Sequence, residues 1–126
     1  MKIRQGIDMT SVRRIQEAIE RNGSSFASRI FTPAERAYCE SKRMKYEHYA
    51  ARFAAKEAVI KALRIKRNSR LDLRDIEIRR KPTGKPFIYL KPSVRQSFGL
   101  PPQSQIELSL SHERKFAIAA VLLILP

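Results

Sequence analysis

The spacing of apolar and polar positions changes along the chain. Residues Lys2 to Met9 alternate loosely and end at the polar pair Thr10-Ser11, the pattern of a short strand feeding a helix. From Ser11 onward, Val12, Ile15, Ala18 and Ile19 recur at three- and four-residue spacing. Arg13, Arg14, Gln16, Glu17, Glu20 and Arg21 fall around the rest of that cylinder, and Asn22-Gly23 supplies its stop. Thr32-Pro33-Ala34-Glu35 predicts a second helix, with a threonine cap, proline at the first helical position and glutamate three residues after the cap. A third helix is predicted from about Glu47 to Leu63, where Ala50, Ala51, Ala54, Ala55, Ala58 and Ala62 combine helix propensity with close packing.

Beyond Leu71 the period falls to two. Ile76 and Ile78 alternate with Glu77 and Arg79, and Phe87-Ile88-Tyr89-Leu90 follows a Pro-Thr-Gly-Lys-Pro turn, so a hairpin is expected. Pro92 to Leu100 has room for a short helix, ended by Pro101-Pro102. Two further strands are expected, Gln105 to Ser111 and Lys115 to Ile124, joined at His112-Glu113-Arg114. A strand, then helices, then a block of strands defines an α+β fold in which helices cover one face of a mainly antiparallel sheet. With no repeat, low-complexity tract or linker, residues 1–126 read as one domain.

Charge changes the picture more than composition does. Hydrophobic residues make up 43% of the chain, enough for one modest core, but the formal net charge is +14. Such a field predicts an acidic partner, and nucleic acid, an anionic surface, an acidic protein or a phosphorylated small molecule would each satisfy it. No recognisable nucleic-acid motif is present and the aromatic residues are not clustered as a base-stacking strand requires, so no nucleic acid is expected. Cys39 is the single cysteine, which suits a reducing cytoplasm. The first residues lack the apolar core of an export signal, and the apolar run Phe116–Leu125 is too short to span a bilayer as a helix, so no membrane partner is expected.

Several residues could carry chemistry. In the alanine-rich helix, Glu57 and Lys61 share a face, and from spacing alone they form an i,i+4 ion pair contributing a few tenths of a kcal/mol. Asp8 stands at the end of the first strand. It could cap the next helix, but Thr10 and Ser11 lie nearer that helix and leave Asp8 freer for another role. Lys81-Pro82-Thr83-Gly84-Lys85-Pro86 is either a plain hairpin loop or a phosphate contact, and His112 sits at the junction of the last two strands.

Taken in order, four blocks of this sequence resemble the holo-acyl-carrier-protein synthase family of 4′-phosphopantetheinyl transferases. They are Gly6-Ile7-Asp8; Arg29-Ile30-Phe31-Thr32-Pro33-Ala34-Glu35; Arg52-Phe53-Ala54-Ala55-Lys56-Glu57-Ala58 with Lys61; and Gly84-Lys85-Pro86 together with Ser109-Leu110-Ser111-His112. The resemblance implies magnesium-dependent transfer of 4′-phosphopantetheine from coenzyme A to a serine of an apo-acyl carrier protein, with release of 3′,5′-ADP. It implies Asp8 and Glu57 as the Mg2+ ligands, Glu57 as the group that removes the serine proton, directly or through water, and Lys61 as a phosphate-facing catalytic cation. Arg52, Lys61, Gly84, Lys85, Pro86, Ser111 and His112 would then bind coenzyme A, some of them from a neighbouring subunit of a homotrimer. Arg13, Arg14 and Arg21 match positions that dock the acidic helix of the carrier protein.

The sequence departs from that family at two places. Ser11 stands where the family has an acidic residue three positions after the first metal ligand, which implies a weaker hold on the metal. Arg64-Ile65-Lys66-Arg67-Asn68-Ser69 replaces a Gly-Thr-Gly-like loop, offering side-chain cations where the family offers backbone amides. The competing readings are a basic nucleic-acid-binding domain and a coenzyme A binder of the same fold without transferase activity.

Overall fold

The chain is described by a computed structural model covering residues 1–66 and 70–126. Strand β1 (Lys2–Ser11) runs into α1 (Val12–Asn22), and Ser11 caps that helix by accepting the Arg14 backbone N–H on its hydroxyl. Ser11 thus has a structural task in this chain. Gly23, with φ of 59°, ends α1 and leads directly into α2 (Ser24–Ile30). The sequence reading did not foresee α2, a seven-residue helix with no side-chain cap to announce it.

The expected capping box opens α3 (Pro33–Glu40): Thr32 Oγ1 accepts the Glu35 backbone N–H, and the Glu35 carboxylate accepts the Thr32 N–H. The alanine-rich helix α4 (Lys45–Leu63) begins two residues earlier than expected and ends at Arg64, a left-handed residue with φ of 58°. A 3₁₀ turn (Leu73–Asp75), the hairpin β2 (Glu77–Arg80) and β3 (Pro86–Tyr89), helix α5 (Pro92–Ser97), and strands β4 (Gln105–His112) and β5 (Phe116–Leu125) complete the chain. His112 is a strand residue paired with Ala117, so the turn between the last strands is one residue later than expected.

Two antiparallel sheets result, β2-β3 and β1-β5-β4. The larger sheet is covered on one face by α4, whose alanines let helix and strands approach closely. Ala54, Ala55, Ala58, Val59 and Ala62 pack against Ala119, Val121, Leu123 and Leu108, and this core continues to Ile76, Ile78, Ile88 and Leu90 of the hairpin region. A second cluster joins the start of α4 to α1, α2 and α3 through Val12, Ile15, Ala27, Phe31, Cys39 and Tyr49. Burial pushes the Cys39 thiol up to about 12, so it is an inert core residue. The opposite sheet face carries Ile3, Ile7, Met9, Phe116, Ile118 and Leu122, all exposed, so apolar residues line both faces of β5.

Candidate active site

The site is organised by how closely β1 lies on α4. Gly6 packs against the α4 backbone so tightly that a Cβ there would overlap the Ala58 carbonyl oxygen and come within 2.9 Å of the Ala62 nitrogen. Two residues on, and therefore on the same face of β1, Asp8 points toward the helix. Its carboxylate accepts the Thr10 hydroxyl at 2.7 Å and the Lys61 ammonium at 3.2 Å, and Lys61 Nζ also donates to the Ile7 carbonyl at 2.8 Å. The Lys61 ammonium is therefore held by β1 rather than by its i,i+4 neighbour Glu57. Asp8 does not cap α1, since Ser11 does.

Glu57 stands one turn before Lys61 on α4, half-buried. Burial pushes its carboxyl above the usual range, the negative charge of Asp8 pushes it further, and Lys61 partly offsets both. Two carboxylates that repel each other beside one ammonium form a place where a cation would relieve strain, and hard divalent ions favour oxygen donors. Among the described residues no cluster of three or more acidic, histidine or cysteine ligands exists, so a cation here would rely on these two carboxylates with water or ligand oxygens. Magnesium accepts that kind of shell, so the residues present fit it.

Lys56, next to Glu57 in sequence, faces the interior. Its ammonium contacts Glu35 Oε1 at 2.9 Å and donates to the carbonyls of Leu73 at 2.9 Å and Ile76 at 2.6 Å. Glu35 Oε2 accepts the Ile78 N–H at 2.8 Å. Every ammonium proton has an acceptor, which is the condition for burying a charge. Only the capping glutamate of this network carries a local sequence signal.

A second polar cluster surrounds Tyr38. The Arg52 guanidinium lies 4.1 Å from the Tyr38 ring centroid, Arg80 lies 5.0 Å away and the Lys42 ammonium 4.8 Å. Arg52 is buried, its Nε has no hydrogen-bond partner, and no carboxylate lies within ion-pair distance among the described residues. Beside it a cavity of about 450 Å³ is lined by Tyr38, Arg52, Arg79 and Arg80 and by Glu35 and Glu77, whose carboxylates are engaged by Lys56 and Arg79. A buried, unneutralised guanidinium facing a cavity suits an anionic ligand.

The remaining expected residues fall into separate places. Gly84, at φ of 92°, makes the tight turn between β2 and β3 and accompanies Lys85 and Pro86, with Lys85 Nζ 3.9 Å from Glu107 on β4. Ser111 pairs with Ile118 on the exposed apolar face, whereas His112 lies on the helix-covered face, where its Nδ1 is 2.9 Å from Glu47 Oε1. Arg14 and Arg21 are seven residues apart and lie within about 20° of each other around α1, both exposed. Arg13, off that stripe, pairs with Glu17 at 2.9 Å. Of the replaced loop, Arg64 to Lys66 is described and caps α4, while Arg67, Asn68 and Ser69 lie outside the described residues.

The fold that carries these residues has known counterparts. Residues 4–121 match the model of the 4′-phosphopantetheinyl transferase superfamily, and the chain belongs to that superfamily. A holo-[acyl-carrier-protein] synthase of Cytophaga hutchinsonii is 46% identical over 121 residues, 93% of each chain. One from Koribacter versatilis is 40% identical over 119 residues, 94% of each chain. Among solved structures, an ACPS–CoA complex of Chronobacterium ammoniagenes superposes with a TM-score of 0.85 at 29% identity, covering 100% of this chain and 99% of that one. The Helicobacter pylori holo-[acyl-carrier-protein] synthase in complex with coenzyme A gives 0.83 at 32% identity, covering 95% and 99%. Within the superfamily its enzyme class is accordingly that of the holo-[acyl-carrier-protein] synthases. The α+β architecture expected from the sequence agrees with these neighbours. Among the described residues no helix is long and apolar enough to cross a membrane.

Proposed function

We propose that this enzyme transfers 4′-phosphopantetheine from coenzyme A to a serine of an acidic apo-acyl carrier protein, with release of 3′,5′-ADP, in a cytoplasmic setting. The observation that carries the reading is the convergence of Asp8, Glu57 and Lys61, from segments some fifty residues apart, at one partly open place. Asp8 and Glu57 would hold the magnesium ion. Bound there, it would supply charge neutralisation to the diphosphate oxygens of coenzyme A.

Glu57 accepts the serine proton, directly or through water. The serine oxygen then bonds to the β-phosphorus as the bond to the bridging oxygen breaks, and the electron pair leaves with 3′,5′-ADP. Lys61 faces the developing charge on the phosphate oxygens. Arg52, with Gly84, Lys85, Pro86, Ser111 and His112, holds the cofactor.

The exposed stripe of Arg14 and Arg21, with Arg13 beside it, fits the acidic face of a carrier helix and chiefly accelerates its encounter. Helix α2 packs on α1, and its Phe26, Arg29 and Ile30 line a separate groove of mixed charge with Arg70, Asp72 and Asp75.

The homotrimer is supported by the uncovered sheet face. Ile3, Ile7, Met9, Phe116, Ile118 and Leu122 are exposed together on one sheet face, and further copies of the chain are a natural cover for such a patch. Ser111 lies on that face and would reach a neighbouring subunit's cofactor, which accounts for its separation from His112.

The test incubates the protein with coenzyme A, magnesium and an apo-acyl carrier protein and reads the carrier mass. One added phosphopantetheine per carrier is expected. Absence of the adduct with carriers from both fatty-acid and polyketide systems would contradict the reading.

A further inference from the structure

We propose that Glu47 is a positioning residue for His112, orienting its imidazole toward the coenzyme A phosphates; the inference rests on the phosphopantetheinyl-transfer reading. Glu47 lies in the first turn of α4 and His112 at the end of β4, 65 residues away in sequence, so their contact is made only by the fold. Glu47 Oε1 is 2.9 Å from His112 Nδ1, and the Glu47 side chain is 14% exposed while that of His112 is 31% exposed. The carboxylate is covered and the ring keeps one open edge.

A carboxylate can only accept, so the shared proton sits on Nδ1 and Nε2 is directed away from Glu47. An anion that accepts an Nε2–H at the other edge would be bound by a ring with one proton directed at it and the other at Glu47. The second restraint is aromatic. His48 packs against His112 with ring centroids 4.9 Å apart at 63°, and His48 in turn meets the edge of Tyr38 at 5.6 Å and 81°. Tyr38 carries the Arg52 and Arg80 guanidinium groups, so His112, His48, Tyr38, Arg52 and Arg80 form one continuous stack ending at the cavity beside Arg52. Burial lowers the proton affinity of His48, its neighbours His112, Arg52 and Lys42 lower it further, and Glu47 opposes them. His48 forms a wall beside the His112 ring. A carboxylate that fixes the tautomer of a functional histidine from behind is a recurring way of aiming such a ring.

The test titrates coenzyme A calorimetrically into the whole protein and its Glu47→Ala, Glu47→Gln and His112→Ala variants and into the Glu47→Ala/His112→Ala pair. Glu47→Ala and His112→Ala each weaken binding about tenfold, and the double variant is no weaker than His112→Ala alone, because Glu47 acts through the ring. Glu47→Gln, which keeps an acceptor oxygen, stays within about threefold of the parent. Nitrogen-15 spectra of His112 report a protonated, hydrogen-bonded Nδ1 in the parent and Glu47→Gln, lost in Glu47→Ala. Additive losses in the double variant, or an unchanged Nδ1 signal in Glu47→Ala, would overturn the proposal. Failure of the parent protein to bind coenzyme A would instead overturn the transferase reading.

Discussion

Lys56 and Glu57 are consecutive residues of α4 whose charges end in opposite surroundings. Lys56 is wholly buried with a carboxylate and two carbonyls around its ammonium, so its hydrogen-bonding capacity is spent within the fold. Glu57 is half-buried, pushed toward its neutral form, and faces another carboxylate. One 100° step around the helix separates a charge used to fasten elements together from one whose local partners are incomplete. Completeness of local partners, more than burial or charge, tells the two kinds of residue apart.

The comparison is broken most severely from the structural side. Lys56→Met leaves the Glu35 carboxylate buried without its cation, and removal of one member of such a pair costs about 3–5 kcal/mol. In calorimetry the melting temperature should fall by about 10–20 °C, and Lys56→Met/Glu35→Leu should recover much of the loss. Burial already lowers the Lys56 affinity for its proton, with Glu35 opposing. A folded-state value below the unfolded one means that this lysine's contribution is fully present at pH above the ordinary lysine range and diminishes as the pH falls. A single variant melting within two degrees of the parent would show that the network is incidental.

Gly6→Ala attacks the spacing that brings the two sides together. A methyl group at Gly6 must push β1 off α4, a kind of overpacking that costs about 1–3 kcal/mol. It should also carry Asp8 away from Glu57, so if these two hold magnesium, the ion should protect the parent against heat and protect Gly6→Ala less. Equal losses with and without magnesium would separate the close approach from the metal site.

A smaller effect sharpens the functional side. Reversing Arg14 and Arg21 to glutamate should raise the KM for carrier protein about tenfold at low salt, with the difference shrinking at high ionic strength. A salt-independent change, or an equal one from Arg13→Glu, would argue against a steering stripe.

The smallest effect follows from the Glu57 carboxyl. Its folded-state proton affinity is raised, so in the metal-free protein its stabilising contribution is complete at acid pH and is lost as the pH rises through its folded-state value. Glu57→Gln should therefore melt slightly higher than the parent at neutral pH without metal, and the gap should close on acidification. A lower melting temperature at neutral pH would mean that the carboxylate is stabilising as it stands.

Much of the architecture could be read in the sequence because local signals and packing agree. The Thr32–Glu35 capping box, the alanines of α4 and the alternation of the final strands each encode an element whose packing face matches its period. Helix α2 was hidden because it has no side-chain cap and only seven residues, and the late turn after His112 because nothing polar marks the exact last ladder pair. The grouping of Asp8, Glu57 and Lys61 in one region was legible through their motif, yet the partnership of Lys61 with β1 was not, since i,i+4 spacing favours Glu57. Glu47, His48 and Tyr38 carried no sequence signal at all, because their relation to His112 and Arg52 exists only after β4 and α3 close on α4.

The most direct measurement is manganese binding, followed by electron paramagnetic resonance in the presence of coenzyme A, on the parent protein and on Asp8→Asn and Glu57→Gln. The parent should bind one ion per chain, and each substitution should weaken that binding at least tenfold while the fold melts normally. If either variant held manganese as tightly as the parent, the ion would have to be bound elsewhere, and the shared-carboxylate account of this site would be wrong.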